Sequence, residues 1–328
     1  MLVRNRTQRV LIMDLRFSVL VVLSASCTAG AQTYPARPVR LIAPFAAGGG
    51  LDATARLIAQ RLTQSWVQPV VVDNRPAVDG IVGTETVARA APDGHTLLIV
   101  NMSHAINPAL GKKLPYDTLK DFSPITQTHY QQLLLVVIPS VNAKSVKELV
   151  DLLKAKPDAL SYGSSSNAAA LPMELFKSMT GTRMVQIPYK GTGPMLNDLL
   201  GGQIQLTLGA AMPILPHVKS GRLRALAIGD SKRAAALAEI PTIAETGVTG
   251  YHAVMWNGIL APAQTPRVLV ERLNKEIVTI LRSPDVRERM ESFGSDIVAG
   301  SPQDWQRFIA VEIAKWTKIA QLTGLRAD

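Results

Sequence analysis

The stretch Pro44-Phe45-Ala46-Ala47-Gly48-Gly49-Gly50-Leu51-Asp52 joins an apolar run, Val39 to Phe45, to a segment of helical period, Asp52 to Thr63. In that segment Ala55, Leu57, Ile58 and Leu62 recur near 3.6 residues. A buried strand that turns directly into an amphipathic helix must lay that helix on its own sheet, which points to an α/β fold. The alternation continues. Pro69 to Asp73 and Thr96 to Val100 read as strands, and Gly83 to Ala90 reads as a short helix stopped by Pro92-Asp93-Gly94. Intervals of this length predict right-handed crossovers and a mainly parallel sheet.

A second series starts at Leu133 to Ile138. Ser145 is expected to cap a helix reaching about Lys154, with Glu148 at the capping-box position. Strands are expected at Leu160–Tyr162, Met184–Pro188, Ile204–Leu208 and Arg222–Ile228. Helices are expected from the 164–167 turn through Phe176 and over Gly193–Leu200. The chain is extended again around Tyr251 to Leu260, and two long helices, Pro266–Leu281 and Pro302–Leu322, close it. With 328 residues and no low-complexity linker, two lobes built from one continuous chain are expected.

The first 31 residues fall outside this pattern. Arg4, Arg6, Arg9 and Arg16 precede an apolar run, Phe17 to Ala25, and Ala29-Gly30-Ala31 supplies small residues for cleavage before Gln32. That is the layout of a secretory signal peptide, too short to span a bilayer; a buried N-terminal helix is the competing reading. Met13 would serve as an alternative start. The one cysteine, Cys27, lies in this segment, so an exported mature chain would have no thiol nucleophile, disulfide or thiolate metal site. Lipid anchoring through Cys27 is a minor alternative, because the Leu of Leu23-Ser24-Ala25-Ser26-Cys27 sits one position too far away. Losing four Arg and one Asp with residues 1–31 lowers the formal charge from +10 to +7. The remaining basic residues are scattered among acids, which argues for a solvated face and against a nucleic-acid groove.

Three strand-to-helix loops could carry chemistry. In the first, glycines let backbone N–H groups approach a ligand, and the following helix adds unpaired amides and the positive end of its dipole. Together they make an uncharged cradle for an anion. Asp52 reads either as the helix N-cap or as a group that sets ligand geometry. Gly48-x-Gly50-x-x-Ala53 with Asp73 downstream also imitates a dinucleotide fingerprint. Ala46 and Ala47 separate it from the strand, and export leaves no nicotinamide pool. The second loop, Gly163-Ser164-Ser165-Ser166-Asn167, offers hydroxyl and amide donors without the GxSxG spacing of a nucleophile elbow. The third, Pro188-Tyr189-Lys190-Gly191-Thr192-Gly193, adds the one evident cation, Lys190, which reads equally as a solvated turn lysine. His95, His104, His129, His217 and His252 form no metal-binding spacing. His104 follows the third strand, where open α/β sheets bind ligands, although a structural histidine fits there equally. No acid–base constellation stands out.

Several further stretches run in order along the chain: Tyr34-Pro35-Ala36-Arg37-Pro38-Val39-Arg40-Leu41-Ile42 with Pro44 to Gly50, Val72-Asp73-Asn74-Arg75-Pro76, Ala91-Pro92-Asp93-Gly94, His104-Ala105-Ile106-Asn107-Pro108, Lys113-Leu114-Pro115-Tyr116-Asp117, Pro188-Tyr189-Lys190-Gly191, Leu199-Leu200-Gly201-Gly202-Gln203 and Leu260-Ala261-Pro262. Together they resemble the Bug family of substrate-binding proteins of tripartite tricarboxylate transporters. The resemblance implies a type II periplasmic-binding-protein fold: two lobes, each a mainly parallel sheet flanked by helices, with the ligand cleft between them. Residues 32–135 and 252–328 would form one lobe and 136–251 the other. It implies an extracytoplasmic protein that captures a small carboxylate for membrane transporter subunits or a sensor. Such a protein would be a periplasmic monomer without cofactor or metal. An exported α/β enzyme acting on a carboxylate or ester is the alternative. The gripping loops would be Phe45 to Asp52 and Ser164 to Asn167. Candidate contacts are Phe45, Ala47, Gly48, Gly49 and Asp52 in the first and Ser164, Ser166 and Asn167 in the second, joined by Tyr189, Lys190, His104 and Gly209.

The chain departs from the family pattern at Leu51, where a small hydroxyl residue is expected, and at Pro76 to Gly80, which replaces a more glycine-rich run. It departs again at Ala168-Ala169-Ala170, where Ser, Thr and His are usual, and at Leu208-Gly209-Ala210, which replaces a stretch that often carries an acid. These changes thin the polar groups at the far end of a ligand, so a carboxylate smaller or more apolar than citrate is expected.

Overall fold

The computed structural model describes residues 34–165, 168–292 and 294–323. The expected signal segment with Cys27, and the loop residues Ser166 and Asn167, lie outside them. Among the described residues the chain builds two sheets. The first contains β1 (Val39–Ala43), β2 (Val70–Asn74), β3 (Thr96–Asn101), β4 (Phe122–Gln131), β10 (Met255–Pro262) and β11 (Ser295–Ile297), in the order β11-β4-β10-β3-β1-β2. The second contains β5 (Leu133–Val137), β6 (Ser161–Ser164), β7 (Val185–Pro188), β8 (Leu206–Ala210) and β9 (Arg224–Ile228), in the order β7-β6-β8-β5-β9.

Both sheets are mixed. β1 pairs in parallel with β2 and β3, and β6 with β7 and β8, as strands joined by helical crossovers must. β10 runs antiparallel between β3 and β4, and β5 antiparallel between β8 and β9. These two reversed strands are the ones that carry the chain between sheets. β4 ends at Gln131 and β5 starts at Leu133, so the outward passage is the single residue Gln132. It falls inside the segment expected to belong to the first lobe up to 135. On the return, Gly229 N–H donates to the Leu133 carbonyl and Ala253 N–H to the Gly229 carbonyl, both at 2.8 Å, which lays the two passages side by side.

Helices sort by face. α1 (Gly50–Ser65), α8 (Arg267–Leu281) and α9 (Pro284–Glu291) cover one side of the first sheet, where Leu41, Leu97, Ile99 and Ile259 meet Ile58, Leu62 and Ile277. α2 (Ile81–Ala88), α3 (Ser103–Ala109) and the 22-residue α10 (Pro302–Thr323) cover the other. The second sheet is covered by α4 (Val146–Ala155), α5 (Leu171–Thr180), α6 (Thr192–Leu200) and α7 (Ala211–Lys219). Ser145 caps α4 by accepting from the Glu148 amide, and Glu148 Oε2 accepts from the Lys144 amide at 2.8 Å, one residue before the position of an ideal capping box.

Trp305 of α10 lies flat on β10. Its indole N–H donates to the Ile259 carbonyl, and Trp256 and Trp316 both donate to the buried Glu312 carboxylate. Gly258 makes room for this: a Cβ there would stand 2.2 Å from the Trp305 ring. The substitution Gly258→Ala is therefore expected to destabilise the protein by about 1–3 kcal/mol through overpacking, read as a fall in the urea midpoint with an unchanged slope.

Candidate functional site

The cleft between the sheets is nearly closed, leaving a cavity of about 20 Å³. On the first-sheet side it is lined by Phe45, Ala46 and the first residues of α1, Gly49 to Leu51. Its floor is Asn101 at the end of β3 and Met255 at the start of β10. Ser165, Gly191, Thr192 and Ala210 face it from the second sheet. None of these side chains is ionisable. Gly49 is the N-cap residue of α1, so the amides of Gly50, Leu51 and Asp52 have no acceptor within the helix.

Asp52 is therefore not the N-cap but the third residue of the helix, and its carboxylate turns away from the cleft. It accepts from the Gly48 amide at 3.1 Å, Arg56 Nε at 3.0 Å and Asn74 Nδ2 at 2.9 Å, while Asn74 also donates to the Phe45 carbonyl. The glycine turn is thus tied to its own helix and to β2, with Gly48 in the left-handed region at φ +87°. Burial alone would raise the Asp52 pKa. The hydrogen bonds from Arg56, Asn74 and Gly48 outweigh it and hold the carboxyl below the usual range.

The other expected site residues divide. Phe45 and Gly49 line the space, whereas Ala47, Gly48 and Lys190 lie exposed at its rim. Lys190 contributes its carbonyl, which accepts from the Ala46 amide at 3.4 Å and so joins the two sides. Ser164 is buried as the acceptor of Gln186 Nε2, and its neighbour Ser165 reaches the cleft instead. The Tyr189 hydroxyl donates to Asp198, and burial, reinforced by that carboxylate, pushes its pKa up to about 12. Ala210 lines the space, while Gly209 packs against Ile214 and Met195. His104 sits in a smaller chamber of about 10 Å³ on the far side of Phe45. There it stacks on Tyr116, and burial, partly offset by the Thr118 backbone, pushes its pKa down to about 4. It is neutral at physiological pH. Across from it Asp79 and Lys112 form a buried ion pair.

Gly191, Thr192 and Gly193 are the residues of the third loop that matter for closure, and the visible signal was their glycine spacing rather than the lysine beside them. A Cβ on Gly191 would stand 3.0 Å from Ala46 Cβ, and one on Gly193 would stand 2.7 Å from the Ala47 carbonyl oxygen. Asn101 and Met255 carried no sequence signal, because strand ends reach the cleft only through sheet order, whereas Ala210 belongs to the Leu208-Gly209-Ala210 stretch already singled out.

Comparison with known proteins gives consistent matches. A family model described as "Tripartite tricarboxylate transporter family receptor" matches residues 54–325. Protein BugT of Bordetella pertussis is 37% identical over 300 residues, covering 90% of this chain and 92% of that protein. A structure of R. palustris Rpa4515 with adipate superposes with a TM-score of 0.87 at 37% identity, covering 89% of this chain and 99% of the other. MatC from Rhodopseudomonas palustris with bound malate gives 0.83 at 28% identity, covering 87% and 99%.

Two expectations follow from the geometry. Gly193→Ala should leave the open form intact, since helical backbone accepts Ala, but block closure and weaken ligand binding about tenfold, or about 1.4 kcal/mol, by calorimetry. Asp52→Asn should cost roughly 1–3 kcal/mol near neutral pH. A carboxyl with a lowered folded pKa stabilises above its unfolded value of about 3.9 and loses that contribution as pH falls through the folded value. The gap between wild type and variant should therefore be flat above about pH 5 and shrink below about pH 4, read from urea midpoints.

Proposed function

The chain belongs to the tripartite tricarboxylate transporter receptor family, and from that premise we propose that it captures a small aliphatic carboxylate in the periplasm and presents it to integral membrane transporter subunits. This is a receptor family, so the protein is a solute-binding protein and not an enzyme. The observation that carries the ligand class is the cleft lining. An anion held there meets backbone amides at the α1 N-terminus and hydroxyls of Ser165 and Thr192, with no cation to neutralise it. The similar proteins solved with adipate and with malate support the same class.

The ligand-facing set in this reading is Phe45, Gly49, Gly50 and Leu51 on one lobe and Ser165, Gly191, Thr192 and Ala210 on the other. Residues up to Gln132 and from about 254 onward form the first lobe, and the intervening chain forms the second. The receptor acts as a monomer whose lobes close on the solute, shifting an open–closed equilibrium. Phe45, Leu51, Ala210 and Met255 give the cavity an apolar wall, which suits an acid smaller or more apolar than citrate.

Isothermal titration against aliphatic, aromatic and tricarboxylic acids tests this. Aliphatic mono- or dicarboxylates are expected to bind, and at a hundredfold excess over Kd should stabilise the protein by about 2.7 kcal/mol in thermal melts. Tight citrate binding without binding of the more apolar acids would overturn the size argument. Turnover of a carboxylate or ester by the pure protein would overturn the receptor reading.

A further inference from the structure

Gln131 is the last residue of β4, immediately before the outward passage at Gln132, and is 1% exposed. It is the register partner of Met255, which forms part of the cleft floor. Register partners point to the same face of a sheet, so the Gln131 side chain is directed to the side from which Met255 meets the cavity. Its amide lies against the first residue of α1: a Cβ on Gly50 would stand 3.0 Å from Gln131 Oε1 and 3.3 Å from Nε2. Among the described residues neither amide atom has a hydrogen-bond partner. Burying such groups unpaired costs about 1–3 kcal/mol each, and a leucine or methionine would fill the same volume without that cost.

Resting on the carboxylate reading of the cleft, we propose that Gln131 is a specificity-determining residue that reads a hydroxyl group on the carbon next to the bound carboxylate. An amide presents a donor and an acceptor side by side. A plain carboxylate held at the α1 N-terminus accepts from Nε2 and leaves Oε1 unpaired. A 2-hydroxycarboxylate satisfies both, with its carboxylate accepting from Nε2 and its hydroxyl donating to Oε1. Sites built to hydrogen-bond a hydroxyl discriminate strongly against the analogue that lacks it, because the protein group is then stranded.

Malate and succinate, which differ by that hydroxyl, are the probes. Calorimetry on the wild type should show malate binding at least tenfold more tightly than succinate. Gln131→Leu should abolish the preference, chiefly by weakening malate, and Gln131→Met provides the same test should the leucine variant fold poorly. Gln131→Glu should weaken both acids at pH 7 by placing like charges together, with affinity recovering as pH is lowered toward the carboxyl pKa, a dependence that a packing role would not produce. A wild type that does not distinguish malate from succinate, or binds neither while binding another acid, overturns the inference alone. So does a Gln131→Leu or Gln131→Met variant that keeps the preference. A wild type that binds no carboxylate overturns this inference and the carboxylate reading together.

Discussion

A Cβ on Gly229 would stand 2.5 Å from the Ala253 carbonyl oxygen and 3.3 Å from Leu133 Cβ, so the end of β9 can lie between the start of β5 and the chain entering β10 only through glycine. The two passages are hydrogen-bonded to each other at Leu133, Gly229 and Ala253. Asp230 adds a polar clasp, accepting from Gln132 Nε2 at 2.9 Å and pairing with His252 at 3.3 Å. Burial would raise the Asp230 pKa, but these partners and the Ser231 amide hold it far below the carboxylate range, so the clasp stays charged. Because both passages run as extended strands into β5 and β10, the two sheets hang from one short segment. The position of the cleft between the two sheets follows from that geometry.

The cleft built on this hinge is uncharged yet suited to an anion. In the proposed binding mode the donors are the first-turn amides of a 16-residue helix, already oriented by the Asp52 clamp, so little would have to reorganise on carboxylate binding. The two sides approach this closely because Gly49, Gly191 and Gly193 carry no side chains: a Cβ there would meet the Thr192 side chain, Ala46 and the Ala47 carbonyl oxygen respectively. Charge is kept away from the lining: Asp79 and Lys112 neutralise each other behind Phe45, and Lys190 points to solvent. An anion is then recognised by geometry rather than by net attraction, which allows it to leave again.

The strand-to-helix units were readable because their signal is local. Val39 to Ala43 and its glycine turn, the Ser145 cap and the long closing helices each show their period or cap within a few residues. β4 did not show itself. Its Thr126, Gln127, Thr128, His129 and Gln131 are polar, yet all are buried, because β10 and β11 flank the strand, Asn274 and the Gly300 carbonyl hydrogen-bond to it, and Phe308 packs on Tyr130. Burial of that kind is a property of the assembled sheet, so no hydrophobic alternation announces it. The short helices α3, α7 and α9 escaped for a related reason: Pro108 and Pro216 interrupt two of them, and the third is dominated by charges.

The same division holds at the site. By itself the sequence determined that a glycine turn would lead directly into the unpaired first-turn amides of a helix, since those groups are bonded to one another along the chain. Only the tertiary structure decided that Asp52 braces the turn instead of facing the ligand, that Ser165 rather than Ser164 reaches the cleft, and that Gln131 comes to rest against Gly50. Each of those outcomes depends on register and on which strand lies beside which. Pairings between residues some 80 positions apart are set by the packing of two sheets about a shared hinge, not by any local preference.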